Sequence, residues 1–480
     1  MKPENYPDQP SHIWEHFYQI TQIPRPSKEE DAVRSYVIAA AERGGHRWQM
    51  DDTGNLVVYV AASQGMSDRE TVTIQNHLDM VTVKTEDKEH DFSRDPLSLN
   101  VVEGWLQADR TTLGADNGVG CAAALAVMTD PDVVHPPLEL LFTVDEETGL
   151  GGALNLDGSM LSGTRMLNLD TEDWNELYIG CAGGGGWEFE RHWENSPVSE
   201  DDEVWQLTLR GLAGGHSGIQ IHQQLGNAIK LLGQCLASVD HVRLVSLEIG
   251  VAHNVIPREG FAVFSCPAGA GEQITAELAR LREQMLSYLP KDDAGLEFEL
   301  LPSAAESAIS KSETKTVLDV LAAFPHGAQS YNLEQPADLV DISINLAIAR
   351  LDRGKFFLES SFRFFNEVQS VPLQQSVLAL AGAYDLKVTP SAGYPGWQPD
   401  FDSELLRNAV ALHERLFDVT PAIKAIHAGL ECGILKSKNP NTDILSFGPT
   451  IRGAHSPTER LEISTVLPFW GFLKALLAEL

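Results

Sequence analysis

Continuous apolar runs alternate with helical patterns in the first part of the chain. Apolar residues at helical spacing predict helices over His12 to Gln22 and Lys28 to Arg43. Short apolar runs predict strands, of which Thr73 to Val81, Leu138 to Val144 and Arg165 to Leu169 are the most hydrophobic. Strands of this kind, alternating with helices, are typical of an α/β domain with helices on both faces of a mostly parallel sheet.

The end of the chain returns to the same pattern. It predicts a helix over Glu404 to Leu416, strands over Ala422 to Ile426 and Ile444 to Phe447, and a closing helix over Thr465 to Leu477. The region between these two stretches mixes strands and helices in the manner of an α+β domain. The middle region is therefore predicted to be inserted into the α/β domain.

Two glycine-rich stretches border the middle region. Gly183 to Gly186 is a run of four glycines, and Thr389 to Pro399 is rich in proline and glycine. Glycine loses much conformational freedom on folding, so such a run is expected where the backbone must flex or approach another chain segment closely. Both stretches are predicted to be hinges, which divides the chain into residues 1–185 with 397–480, and residues 186–396.

Composition narrows the classes of partner. The chain has 480 residues, with 68 acidic against 35 basic side chains and a formal net charge of −33. Such a charge repels nucleic acid and anionic lipid, so neither nucleic acid nor a membrane is an expected partner. Five scattered cysteines without CxxC spacing indicate a reducing compartment. Together with the lack of a signal-like or membrane-spanning apolar run, this predicts a cytoplasmic protein.

Metal-type ligands follow the predicted strands. In the run Thr73 to Val81, His77 ends the predicted strand and Asp79 comes two residues later. Glu146 and Glu147 follow the strand predicted over Leu138 to Val144, and Asp170 follows the strand predicted over Arg165 to Leu169. Functional groups gather at the carboxyl ends of parallel strands, so these side chains are expected at one edge of the sheet. Each also has a plain structural interpretation: a satisfied buried histidine, or a solvated acidic turn.

Asp116 lies in Gly114-Ala115-Asp116-Asn117-Gly118, just before a predicted apolar helix. A carboxylate at this point has the chemistry to bridge two cations about 3.5–4 Å apart, as in dinuclear hydrolases. An Asx turn or a helix N-cap would use an aspartate equally well.

Six motifs in one order extend over nearly the whole chain. They are His77-Leu78-Asp79, Gly114-Ala115-Asp116-Asn117-Gly118, Asp145-Glu146-Glu147-Thr148-Gly149, Asn168-Leu169-Asp170, Gly214-Gly215-His216-Ser217-Gly218 and Gly453-Ala454-His455-Ser456-Pro457. Together they resemble the dinuclear zinc metallopeptidase family that includes aminoacylases, carboxypeptidases and tripeptidases.

More narrowly, three segments and the large inserted region carry a second resemblance. The segments are Ala115-Asp116-Asn117-Gly118, Leu169-Asp170-Thr171-Glu172 and His427-Ala428-Gly429-Leu430-Glu431-Cys432-Gly433, of which the first two overlap the motifs above. Together with the inserted region they resemble the aminoacyl-histidine dipeptidases of that family. The resemblance implies a metal-dependent exopeptidase that hydrolyses dipeptides and prefers a C-terminal histidine. Alternatives are a tripeptidase, a carboxypeptidase, an N-acyl amino acid deacylase, or a catalytically silent metal-binding protein on the same fold.

The resemblance also implies a metal site with two zinc ions per subunit in residues 1–185 and 397–480. His77, Asp116 and Asp170 would hold one ion, while Asp116, Glu147 and His455 would hold the other. Cobalt and manganese are also accepted by histidine and carboxylate ligands.

Two carboxylates would act beside the metals. Asp79 would orient His77, and Glu146 would be the general base that takes a proton from the metal-bridging water.

The inserted residues 186–396 would form a lid and dimerisation domain that contacts a small peptide substrate. In relatives, the residue matching His216 reaches into the partner subunit's active site and stabilises an oxyanion, which implies a homodimer. Asn254 and Arg363 resemble residues that contact the substrate's backbone and terminal carboxylate. A turn histidine and a structural ion-pair arginine remain the alternatives for His216 and Arg363.

Overall fold

The computed structural model describes residues 2–332 and 339–480 and divides into two compact units. The first comprises Met1–Cys181, Trp397–Ala425 and Leu430–Leu480, and the second comprises Ala182–Gly396 and Ile426–Gly429. The role of the second unit as a lid and dimerisation domain stays a prediction.

The helices are distributed over both units. They are α1 Ser11–Thr21, α2 Asp31–Arg43, α3 Ala115–Thr129, α4 Gly151–Asn155, α5 Ala228–Ala237, α6 Gly271–Leu286, α7 Lys311–Ala323, α8 Glu367–Ala383, α9 Glu404–Phe417, α10 Glu431–Lys438 and α11 Ile463–Glu479.

The strands follow in chain order. They are β1 Arg47–Met50, β2 Leu56–Val60, β3 Val72–His77, β4 Leu99–Val102, β5 Trp105–Ala108, β6 Leu138–Thr143, β7 Arg165–Asn168, β8 Glu176–Cys181, β9 Gly183–His192, β10 Ser196–Pro197, β11 Asp202–Arg210, β12 Gly215–His216, β13 Arg243–Ile249, β14 Val255–Ile256, β15 Gly260–Pro267, β16 Glu297–Pro302, β17 Ser307–Ala308, β18 Gly327–Tyr331, β19 Val340–Asp352, β20 Lys355–Phe364, β21 Lys387–Tyr394, β22 Ala422–Ile426, β23 Asp443–Ser446, β24 Ile451–Arg452 and β25 Arg460–Glu462.

The central sheet of the first unit has the order β1-β2-β6-β3-β7-β23-β8-β22. Its four middle strands, β6, β3, β7 and β23, run parallel, with Ile74 opposite both Leu140 and Leu167. Antiparallel pairs flank them, β1 with β2, β2 with β6, and β23 with β8. The predicted α/β fold with a mostly parallel central sheet is confirmed.

The hydrophobic pattern explains why the middle of this sheet is buried. Every residue of β3 and β6 is buried, and so is almost all of α3, whose alanines and glycines pack closely against β3. α1 contributes Trp14 and Phe17, both with at most 1% of their surface exposed, and it packs against α3. Parallel strands covered on both faces leave only their ends accessible to ligands.

The second unit is built on an antiparallel sheet with the order β16-β11-β15-β13-β19-β20-β9-β21, and β18 pairs with β19. The predicted hinges lie within this sheet. Gly183 to Gly186 begin β9 and pair with β20, and most of the Thr389 to Pro399 stretch belongs to β21. A Cβ atom at Gly186 would lie 2.5 Å from the Ser360 carbonyl oxygen, so glycine is needed here for close approach.

All five cysteines are buried and free: Cys121, Cys181, Cys235, Cys266 and Cys432. No helix in the described ranges is both long enough and apolar enough to cross a bilayer.

Candidate metal centre

The parallel strands of the first unit deliver the candidate ligands to one edge of the sheet. His77 is the last residue of β3, Glu146 and Glu147 follow β6, and Asp170 lies two residues beyond β7. At the carboxyl ends of these buried central strands the side chains converge, as the sequence predicts.

The first cluster is centred on the His77 imidazole, which is 1% exposed. Its Nε2 lies 3.1 Å from Oδ1 of Asp116 and 3.3 Å from Oδ1 of Asp170. Burial raises the pKa of Asp170 to about 7. Ligand atoms of the three residues lie within 4.8 Å of one another, close enough to share a metal ion.

The second cluster uses the other oxygen of Asp116. His455 Nε2 lies 3.2 Å from Asp116 Oδ2 and 3.1 Å from Glu147 Oε2. Hydrogen bonds to Asp116 and Glu147 raise the pKa of His455 to about 11. Asp116 therefore offers one oxygen to each cluster, which is the arrangement of a bridging carboxylate.

Backbone conformation turns Asp116 toward both clusters. α3 formally begins at Ala115, but Asp116 has φ −78° and ψ 113°, outside the helical region. Gly114 before it has a left-handed φ of 64°, which glycine adopts without a steric penalty. Asp116 is thus held on a loop ahead of the regular helix rather than on its surface.

Asp79 connects His77 to the two glutamates. Its Oδ1 lies 3.4 Å from His77 Nδ1, and Ser27 Oγ donates to its Oδ2 at 2.7 Å. Its two oxygens also accept the backbone N–H groups of Glu146 and Glu147 at 3.1 Å each. Burial alone would raise the pKa of Asp79, but these hydrogen bonds outweigh it and lower the pKa to about 2.

Glu146 lies within the same group of charges. Its carboxylate is within 4.8 Å of ligand atoms of His77 and Glu147. Burial, with Glu147 and Asp170 close by, raises the pKa of Glu146 well above its usual range. A carboxyl group in such a place is suited to exchanging a proton with a bound molecule.

The chemistry of the site fits metal ions. Glu147 Oε1 and Asp170 Oδ1 are buried and lack a well-aligned hydrogen-bond partner within residues 2–332 and 339–480. Carboxylates this close repel one another unless cations or protons neutralise them. Imidazole nitrogens and carboxylate oxygens are the ligands that zinc accepts in catalytic sites.

The three predicted substrate-binding residues lie together in the second unit. His216 of β12 pairs with Val255 of β14, and the Ser217 N–H donates to the Asn254 carbonyl at 2.9 Å. Arg363 on β20 is 9% exposed and donates from Nη1 to the Tyr394 hydroxyl at 3.0 Å.

The imidazole of His216 has a defined tautomer. Its Nδ1 accepts the backbone N–H groups of Gly218 and Ile219, each at 3.1 Å. The proton of the neutral ring is therefore on Nε2, so that nitrogen is a donor. An oxyanion-stabilising histidine requires this tautomer.

Sequence reasoning missed two buried charged residues beside the centre, Arg25 and Glu459, both 2% exposed. Arg25 lies in the segment between α1 and α2, and Glu459 lies four residues after His455. The only signal for Glu459 is its nearness in sequence to a predicted ligand.

One protein family and several known proteins match nearly the whole chain. Residues 73–479 match the model of a family described as Peptidase family M20/M25/M40. The chain is 37% identical over 479 residues to the cytosol non-specific dipeptidase of Escherichia coli (strain K12), covering 98% of each protein.

Two solved structures have the same overall fold. The aminoacylhistidine dipeptidase of Vibrio alginolyticus matches with a TM-score of 0.89 and 35% identity over 98% of this chain and 97% of that one. The aminopeptidase PepT of Bacillus cereus matches with a TM-score of 0.55 over 98% of both chains, and its 13% identity supports likeness of fold alone.

Proposed function

Because this chain belongs to peptidase family M20/M25/M40, we propose that it is a zinc-dependent dipeptidase that prefers Xaa-His substrates. The observation on which this rests is the position of Asp116, whose Oδ1 faces His77 and whose Oδ2 faces His455. The names of the Escherichia coli and Vibrio alginolyticus relatives support dipeptide hydrolysis, and the second supports the histidine preference.

The two clusters would hold one ion each and share Asp116. Zinc bound there would lower the pKa of a coordinated water toward ~7 and polarise the scissile carbonyl. Glu146 takes a proton from the attacking water at its carboxylate and passes it to the leaving amine. Asp79 contacts His77 Nδ1 and thereby fixes the direction of Nε2.

Residues of the second unit would bind the substrate. The Nε2–H of His216 donates to the developing oxyanion, and the guanidinium of Arg363 binds the terminal carboxylate. Asn254 contacts the substrate's backbone. His216 acts in the site of a partner subunit, so the enzyme is a homodimer. A cytosolic location is supported by the name of the Escherichia coli relative.

Initial rates on a matched substrate panel test this function. The panel is Gly-His, β-Ala-His, Gly-Leu, Gly-Gly-Gly, hippuryl-Phe and N-acetyl-Met, each with and without a chelator. We expect chelator-sensitive cleavage led by Gly-His. Faster cleavage of the tripeptide or the N-acylated substrates would overturn the dipeptidase assignment, and equal rates on Gly-His and Gly-Leu would overturn only the histidine preference.

A further inference from the structure

The loop that presents Asp116, residues 113–116, is bound through its backbone by one buried carboxylate. Glu459 Oε2 accepts the N–H groups of Leu113 and Gly114 at 2.7 and 2.9 Å. Its Oε1 accepts those of Ala115 and Asp116 at 2.7 and 3.3 Å. Four consecutive peptide groups are therefore oriented by a single side chain.

A second buried residue holds the other side of the 113–116 loop. Arg25 Nη1 donates to the carbonyls of Leu78 and Asp79, at 2.7 Å each, and Nη2 donates to the carbonyl of Gly114. Arg25 thereby joins the loop to the segment directly after β3, which is the segment that follows His77.

Glu459 joins the loop to a different ligand segment. It lies four residues after His455, and its own N–H donates to the Ser456 carbonyl at 3.1 Å. The His455 side chain is 56% exposed, so little packing restrains it. Its backbone has a left-handed φ of 62°, which a non-glycine residue keeps only where its surroundings hold it. The carboxylate of Glu459 fastens the His455 segment to the loop that carries Asp116.

We propose that Glu459 is a positioning residue that assembles the cluster of Asp116, Glu147 and His455. The inference rests on the proposed function, because it requires that each cluster holds a metal ion. Without the carboxylate, four buried N–H groups lose their acceptor and the link between the Asp116 and His455 segments is broken. The link through Arg25 remains, so the 113–116 loop stays joined to the segment after His77. Because both clusters share Asp116, the cluster that contains His77 is disturbed too, but less than the cluster that contains His455.

Metal titration of the E459Q variant tests this inference. Glutamine has nearly the same shape but one acceptor oxygen, and its amide group faces N–H donors. E139Q is the matched control. Glu139 is also buried, at 3% exposure, and accepts the N–H groups of Ser162 and Gly163, but it lies near the start of β6, away from the ligands.

Metal-free proteins would be titrated with Zn²⁺ by calorimetry and with Co²⁺ by visible absorption. We expect the wild type and E139Q to bind two ions alike. E459Q should bind one ion at least ~10-fold more weakly, the range typical for residues that orient metal ligands, and should lose clearly less affinity for the other. Added Zn²⁺ should restore much of its activity.

The inference fails if E459Q binds both ions as the wild type does, if both ions weaken equally, or if E139Q shows the same selective loss. A wild type that binds fewer than two ions would overturn the proposed function instead. If circular dichroism shows that E459Q is unfolded, E459D retains part of the acceptor set. It is expected to give a smaller but still selective loss, and an equal loss at both sites would contradict the inference.

Discussion

The backbone N–H of Glu146 donates to Oδ1 of Asp79 at 3.1 Å. Asp79 also contacts His77 Nδ1, so one carboxylate touches both the proposed metal ligand and the peptide that carries the proposed general base. If those roles hold, orientation of the ligand and placement of the proton acceptor depend on one side chain.

Replacing Asp79 should disturb both functions at once. The side-chain amide introduced by D79N would keep one acceptor oxygen, while its NH₂ group would face an N–H donor. We expect kcat/KM on Gly-His and zinc affinity each to fall by about 10–100-fold. The control S27A removes only the hydroxyl that donates to Oδ2 and should change both values far less. Unchanged zinc affinity in D79N would show that Asp79 does not act through His77.

Substitutions of the adjacent Glu146 and Glu147 should have different effects on activity and on bound zinc. E146A is expected to lower kcat by about 10²–10⁴-fold, the usual contribution of general acid–base catalysis, while both zinc ions stay bound. E147A should lose one ion, because Glu147 Oε2 contacts His455 in the second cluster. Kinetics and elemental metal analysis of the two variants test this. Full activity in E146A would exclude it as the base.

Loss of the shared carboxylate should affect both ions. D116A is expected to bind zinc weakly at both clusters, whereas H455A and D170N should each lose one ion. His455 is exposed, so H455A should remain folded by circular dichroism. If D116A lost only one zinc ion, as H455A and D170N are expected to, the two clusters would not share Asp116.

Exchange of subunits tests the proposed role of His216. H216A and E146A should each be nearly inactive alone. Random reassembly of an equal mixture should recover about a quarter of wild-type activity, since half the dimers are mixed and each has one complete site. The matched control is a mixture of E146A with E147A, whose defects lie in the same site and cannot complement. No recovery with H216A would place its function within its own subunit.

Stability should depend on pH through His326. Its Nδ1 contacts Asn227, and burial beside Lys230 lowers its pKa to about 4. In the unfolded chain a histidine has a pKa of about 6.5, so as pH falls it is protonated before His326 of the folded chain is. The contribution of His326 to the free energy of unfolding is therefore complete above pH 6.5 and is lost as pH falls toward 4. In urea unfolding between pH 7.5 and 4.5, H326Q should take up fewer protons than wild type on unfolding, and the difference should approach one proton near pH 5. H192Q, at an exposed position of the same unit, is the control for replacing a histidine.

Elements whose information is local could be predicted from the sequence. The strands predicted over Leu138 to Val144 and Arg165 to Leu169 each end within one residue of the observed bounds. His77 ends a parallel strand and Asp170 follows one, as apolar runs in the sequence indicate. Glu459 could not be predicted, since its function depends on amides of a loop far earlier in the chain. The strand pairing of Gly183 to Gly186 could not be predicted, because flexibility and close approach favour the same residue and only the position of β20 shows that these glycines are needed for close approach. Their role as a hinge stays a prediction.

The burial of every cysteine has a practical consequence. Burial raises the pKa of Cys121 and Cys235 to about 12 and that of Cys181 and Cys266 to about 11, so the thiols are neither accessible nor ionised at neutral pH. The natural cysteines are therefore expected not to react with maleimides while the chain is folded. A single cysteine introduced on each unit could be labelled with a spin or fluorescent probe without first removing any natural one.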